Sequence, residues 1–275
     1  MKPHVDDERA SSPGPSNAPQ GGYDPSFFDE LAAIEDQHFW FRARNRLIFD
    51  LAKKICSQIQ PGYLVLEVGC GTGNVLRALH DACSAGRVVG LELWFDGLRH
   101  AQKRVGDWLV QGDVRSLPFG RQFNLVGLFD VLEHLPEERE TLRAVHGALV
   151  PGGKLMLTVP AHQFLWSYFD EAAQHCRRYS ETEIRERLAE AGFQVEYLSQ
   201  FMACILPIVW AFRKAGNFRS RNDSKTSRNW TAKEFRIVPG VNWVLTTLLT
   251  LEARWLARGH RLGFGTSFAV IATKS

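Results

Sequence analysis

Glycine occupies every second position in Glu67-Val-Gly69-Cys70-Gly71-Thr-Gly73-Asn74, directly after the apolar run Leu64 to Val68 and before Val75, Leu76 and Leu79. A buried strand that breaks into such a turn and then a helix lets a ligand approach the backbone closely, because no Cβ stands in its way. The spacing argues against a dinucleotide: a G-x-G-x-x-G turn needs glycine at position 74, where this chain has asparagine. Glu67 is also out of place beside a pyrophosphate, an anion that settles at helix N-termini. An acid there suits a ligand carrying ammonium and sulfonium charges.

Further carboxylates follow at the ends of later apolar runs. Arg87-Val-Val-Gly-Leu-Glu92-Leu93 reads as a second strand whose Glu92 lies about 20 residues past the glycines, the usual place for an acid that takes ribose hydroxyl protons. Trp108 to Gly112 reads as a third strand running into Gln111-Gly-Asp113-Val114, and Phe123 to Phe129 as a fourth running into Asp130-Val-Leu-Glu133-His134-Leu135. Pro136 is placed to open the next helix. Pro151-Gly-Gly-Lys-Leu-Met-Leu-Thr-Val-Pro160 supplies a turn and a fifth strand, and Ser180-Glu-Thr-Glu183 is a capping box whose helix Gly192 ends. Val195 to Leu198 and Phe268 to Ala272 are the last two strand candidates.

This run of motifs, over roughly residues 60 to 200, resembles the class I S-adenosylmethionine (SAM) dependent methyltransferases of the small-molecule type. Its middle segment is most similar to the group that contains the ubiquinone-pathway O-methyltransferases. The resemblance implies a doubly wound α/β fold, a mostly parallel seven-stranded Rossmann-like sheet with helices on both faces. It also implies that SAM is held by Glu67, Gly69, Cys70, Gly71, Gly73, Glu92, Leu93, Asp113, Val114 and Asp130. In that arrangement Glu92 takes the ribose, Asp113 the adenine amino group, Val114 the face of the ring and Asp130 the methionine portion.

Methyl transfer from a sulfonium is an in-line displacement that chiefly requires alignment and exclusion of water, and it needs no metal. A hydroxyl acceptor reacts faster once deprotonated, and histidine can take that proton near neutrality. His134 is the first candidate base and His162 the second; His175 is a further histidine in the same region. Arg42, Arg44 or Arg46, in the aromatic and basic segment His38 to Arg46, is placed to meet the methionine carboxylate or an anionic substrate, and the sequence does not choose among them. Arg177-Arg178 is either an anion clamp or a solvated basic loop.

The bulk properties narrow the classes. A formal charge of +3 is too mild to imply nucleic acid, and five cysteines without a C-x-x-C pair suggest neither a disulfide framework nor a zinc site. A cytoplasmic setting is expected. Residues 1–22 read as a disordered tail, 23–60 as an N-terminal helical lid, 61–200 as the SAM-binding core, 201–265 as a helical and basic insertion and 266–275 as the last strand of the core. The insertion sets apolar runs, Phe201 to Phe212 and Val241 to Trp255, on either side of eight Lys and Arg between Arg213 and Arg236. It is expected either to cover the core and wall the pocket or to touch a membrane surface peripherally.

These features point to methyl transfer onto a small-molecule acceptor, most often a hydroxyl of an apolar or lipid-linked compound. The alternatives are C- or N-methylation of a small molecule, or a SAM-binding or membrane-surface protein without catalysis. A DNA amino-methylase would carry Asn/Asp-Pro-Pro-aromatic where this chain has Asp130-Val-Leu-Glu133, and a cytosine C5 enzyme would need a Pro-Cys dipeptide that does not occur.

Overall fold

The computed structural model describes residues 27–106, 108–211, 213 and 235–275. The expectations for residues 1–22 and for most of the basic stretch between Arg213 and Arg236 lie outside these. Seven strands, β1 (Leu64–Val68), β2 (Arg87–Glu92), β3 (Leu109–Gln111), β4 (Phe123–Phe129), β5 (Leu149–Pro160), β6 (Phe193–Phe201) and β7 (Ser267–Lys274), form one sheet in the order β3-β2-β1-β4-β5-β7-β6. All run parallel except β7, which is antiparallel to both β5 and β6. The expected doubly wound Rossmann-like sheet is therefore present.

Both faces of the sheet are covered because its strands are apolar on both sides. Val65, Leu125, Met156 and Ala269 pack with α2 (Phe39–Cys56) and α3 (Asn74–Ala82) on one face. Leu66, Val68, Val126 and Leu157 pack on the other with α5 (Glu138–Ala148) and α7 (Glu181–Glu190). In α2 the apolar set Leu47, Ile48, Leu51, Ala52 and Ile55 repeats at helical spacing and is buried. The remaining helices are α1 (Phe28–Ile34), α4 (Phe95–Val105), the short α6 (Tyr168–Ala172) and α8 (Pro239–Ala257).

Local chemistry sets the ends of these elements. Ser180 and Glu183 close a reciprocal capping box at the start of α7, and Gly192 follows the helix at φ 87°. The helix expected at Pro136 begins instead at Glu138, with Pro136 in the preceding turn. β5 starts at Leu149, earlier than expected, because a bulge carries Pro151 to Gly153 past β4. β6 also exceeds the four residues read from its pattern, since pairing with β7 extends it from Phe193 to Phe201.

Part of the insertion serves the core. α8 lies against α2, and the Asn242 carboxamide accepts the Phe39 N–H at 2.8 Å while donating to Gln37 O at 2.9 Å. One of the orphan donors at the start of α2 thereby finds its partner in the insertion.

Candidate functional site

Strand order reverses between β1 and β4, so the crevice beyond their carboxyl ends is where such a sheet leaves room for a ligand. A cavity of about 630 Å³ opens there. The glycine turn forms its floor. Gly69 and Gly71 line it at φ 69° and 51°, and a Cβ on Gly69 would stand 2.6 Å from Val131 Cγ2. Gly73 lies between cavity-lining residues, with Gly71 and Thr72 before it and Asn74 after it. It begins α3 at φ 79°, and a Cβ there would meet Ala101 Cα of α4 at 2.8 Å, so the two helices pack closely there.

Glu67, at the end of β1, is buried in the cavity wall, and its Oε2 has no hydrogen-bond partner. Burial raises its pKa well above the carboxylate range; Arg44 opposes the rise, and the neighbouring Glu92 and Glu35 add to it by smaller amounts. Glu92 ends β2 with its carboxylate fixed by the backbone: Gly71 N–H donates to Oε2 at 2.8 Å and Trp94 N–H to Oε1 at 3.0 Å. Burial raises its pKa, and these backbone donors oppose the rise. Cys70, Leu93, Asp113, Val114 and Asp130 also line the cavity. Asp113 is held by Arg115, whose Nε and Nη2 donate to Oδ2 at 2.9 and 2.5 Å.

Of the three arginines left open by the sequence, Arg44 reaches the site. Its Nη1 meets Asp130 Oδ2 at 2.6 Å and its guanidinium lies 4.7 Å from the Trp40 ring centre, whereas Arg46 pairs with Asp50 and Arg42 is exposed. Asp130 itself has φ 56°, so the chain turns sharply where β4 delivers it into the cavity. The segment between α1 and α2 is bound to the glycine turn by a pair of acids. Glu35 accepts from Thr72 Oγ1 and from Arg104, and Asp36 accepts from Asn74 Nδ2 and Arg77. Sequence reasoning missed these contacts, because nothing in residue spacing joins positions 35, 72 and 104.

Beyond Asp130 the site becomes a compact polar group. One ring nitrogen each of His134 and His175 and a carboxylate oxygen of Glu133 lie within 4.8 Å of one another, an arrangement able to accept a proton or a cation. Glu133 is buried with Oε2 unpartnered, and burial followed by Asp130 raises its pKa well above the usual range. His134 lines the cavity, but burial and then the adjacent His175 pull its pKa down to about 3. Such an imidazole is a weak acceptor at neutral pH. His162 does not line the cavity: its Nε2 is 2.6 Å from Gln200 Oε1 and its ring stacks on Phe164.

His175 is oriented by a carboxylate. Its Nδ1 lies 3.0 Å from Asp170 Oδ1, and Asp170 is fully buried. Arg178 Nε donates to the same oxygen at 2.7 Å, Arg213 Nη1 reaches Oδ2 at 3.3 Å, and Ser167 N–H caps Oδ2 at 2.9 Å. Burial would raise the Asp170 pKa, yet His175, Arg178 and Arg213 hold it at about 2. An ionised carboxylate can only accept, so the imidazole donates to it from Nδ1, and in the neutral tautomer that does so Nε2 is the acceptor. His175 is a wall residue of the cavity.

Apolar side chains also line the cavity: Phe39, Trp40 and Phe41 from α2, Phe169 from α6, and Ile205, Ile208, Val209 and Leu245 from the insertion.

Residues 34–198 match a family model described as a methyltransferase domain. A demethylmenaquinone methyltransferase of Lactiplantibacillus plantarum is 28% identical over 50% of this chain and 73% of its own length. A ubiquinone biosynthesis O-methyltransferase of Bordetella avium is 25% identical over 50% of this chain and 62% of its own. Another curated relative, from Mycolicibacterium smegmatis, is matched over 63% of its length, so the chain spans roughly two thirds of these proteins. Among solved structures, a SAM-dependent methyltransferase of Thermotoga maritima superposes with a TM-score of 0.54 at 15% identity, covering 91% of this chain and 97% of the other, which shows the shared fold. With the fold, the glycine turn and the family match in agreement, the chain belongs to the class I S-adenosylmethionine-dependent methyltransferases.

Proposed function

We propose that the protein transfers the methyl group of SAM to a hydroxyl of an apolar, lipid-linked small molecule. The observation that carries this reading is that one cavity is lined by the glycine turn with its carboxylates, by the polar group of Glu133, His134 and His175, and by apolar side chains from α2 and the insertion. When bound, SAM supplies a methyl group on a sulfonium sulfur. The residues present suit it: Glu67 Oε2 is a buried acceptor awaiting a cation, Glu92 has lone pairs left for ribose hydroxyls, and Gly69 and Gly71 leave the turn open. Glu67, Gly69, Cys70, Gly71, Glu92, Leu93, Asp113, Val114 and Asp130 form the cofactor end in this proposal, with Arg44 holding Asp130 in place.

The acceptor's hydroxyl is then placed at the polar group with its apolar body against Phe41, Phe169, Ile208 and Leu245. His175 Nε2 takes the proton as the oxygen gains the methyl group, and Asp170 steadies the imidazolium so formed. In this scheme His134 packs against His175, ring centres 4.7 Å apart, and shapes the site without taking the proton. Two relatives are named for demethylmenaquinone and for ubiquinone biosynthesis, which favours a quinol-like acceptor, and the second of them is named as an O-methyltransferase, which favours oxygen.

Turnover with labelled SAM against phenols and quinols of increasing chain length tests the acceptor class. Activity should rise with apolar length; exclusive use of short polar acceptors would overturn the reading. Calorimetry tests the cofactor end. Glu92→Ala should weaken SAM binding by about 1.5 to 3 kcal/mol, roughly 10- to 150-fold, through loss of charge-assisted bonds to the ribose. An unchanged dissociation constant in folded variant protein would remove Glu92 from the site.

A further inference from the structure

α8 has two faces of different fate. Thr246, Leu249, Ala253 and Leu256 are buried toward the core, whereas Val241, Val244, Leu248, Leu251 and Trp255 are 57, 46, 48, 56 and 39% exposed. The exposed set is spaced alternately by three and four residues, so it forms one continuous apolar stripe along the helix. Trp243, at 68% exposure, flanks it. Scattered apolar residues are ordinary on a protein surface, but a stripe running the length of a helix is a contact site.

Charge on this element is also one-sided. No ionisable residue occurs from Pro239 to Leu251, and from Phe235 to the last residue Glu252 is the sole acid. Glu252 is turned inward, accepting from the backbone N–H groups of Met202 and Ala203. Arg254, Arg258 and Arg261 are exposed beyond it. The stripe also adjoins the cavity. Ile208, 53% exposed, and Leu245 of α8 both line it, and Trp210 is exposed on the same short helical stretch, residues 206–211.

We propose that this face of α8 docks on an anionic lipid bilayer and sets the cavity mouth against it. The proposal rests on the apolar-acceptor reading for its purpose, though binding can be measured without turnover. Among the described residues no helix is long and apolar enough to cross a membrane, so α8 lies along the surface with its stripe in the acyl boundary and its arginines among the headgroups. Tryptophan suits that depth, having an apolar body and a polar edge. A second copy of the chain is a poorer occupant, because the same face of a partner copy offers Arg254, Arg258 and Arg261 no acid from Phe235 onward except the inward-turned Glu252.

Flotation of the full chain with vesicles of phosphatidylcholine alone, and of phosphatidylcholine with phosphatidylglycerol, tests the proposal. Wild-type protein should float with the anionic vesicles and less so as salt is added, since screening shortens the reach of the arginines. Leu248→Glu with Leu251→Glu should reduce flotation by about tenfold or more, because two charges enter the apolar boundary, while SAM affinity and the thermal midpoint stay at wild-type values. Arg254→Ala with Arg258→Ala should weaken binding to anionic vesicles and reduce its salt dependence. Absence of wild-type binding at low salt, unchanged flotation of the double glutamate variant, or a wild-type dimer that the same glutamates dissociate would each overturn it. Loss of methyl transfer with vesicle binding retained would count against the acceptor reading and leave the docking face standing.

Discussion

Replacing His175 with alanine is expected to lower turnover by about 10² to 10⁴ fold while SAM affinity stays nearly unchanged. The expectation follows from geometry. The Asp170 carboxylate engages the imidazole through Nδ1 at 3.0 Å, which leaves Nε2 as the nitrogen free of that contact, on a residue that lines the cavity. Neither neighbouring histidine replaces it: His134 is held at about pKa 3, and His162 is engaged by Gln200 outside the cavity. Single-turnover kinetics separate the chemical step from binding, and imidazole added to the alanine variant should restore part of the rate. A folded His175→Ala enzyme with wild-type turnover would remove the base. Turnover abolished by a chelator and restored by a divalent ion would instead assign Glu133, His134 and His175 to a cation.

The second large effect falls on stability. Asp170→Ala removes the acid that pairs directly with Arg178, Arg213 and His175, leaving the buried Arg178 guanidinium without its ion-pair partner. Stranding a buried charge in this way costs about 3 to 5 kcal/mol. The pH dependence has a definite sign. The folded pKa of Asp170, about 2, lies below its ordinary 3.8, so its contribution is complete above the ordinary value and is lost as pH falls from about 4 toward 2. Urea unfolding should show a large loss for Asp170→Ala at neutral pH and a smaller gap from wild type in acid. A variant as stable as wild type at neutral pH would contradict this view of the cluster.

How far the sequence could reach is visible in particular residues. The glycine turn, Glu67 and Glu92 were legible because strand, turn and helix are contiguous and each residue type has one evident use there. Gly73 has the spacing of the turn, but its close approach to Ala101 on α4 is visible only in the folded chain. His134 and His162 were chosen by their positions after strands. Their chemistry depends on burial and on partners such as His175 and Gln200, which sequence order does not reveal. The Asp170 and His175 pair is only five residues apart and lay within reach, since Ser167 and Asp170 form a capping box that fixes the acid at the start of α6. Arg213 and Glu35 join that picture through long-range folding alone. The insertion's two alternatives are compatible in the structure, because α8 covers α2 with one face and exposes an apolar stripe on the other.

Transfer of a carbon-13-labelled methyl group from SAM to a long-chain quinol, followed by identification of the labelled atom in the product, tests the central claim most directly. The expected result is a methyl ether, formed by the wild-type enzyme and lost in His175→Ala. A label found on carbon or nitrogen, or no transfer to any apolar hydroxyl while SAM binds normally, would contradict it.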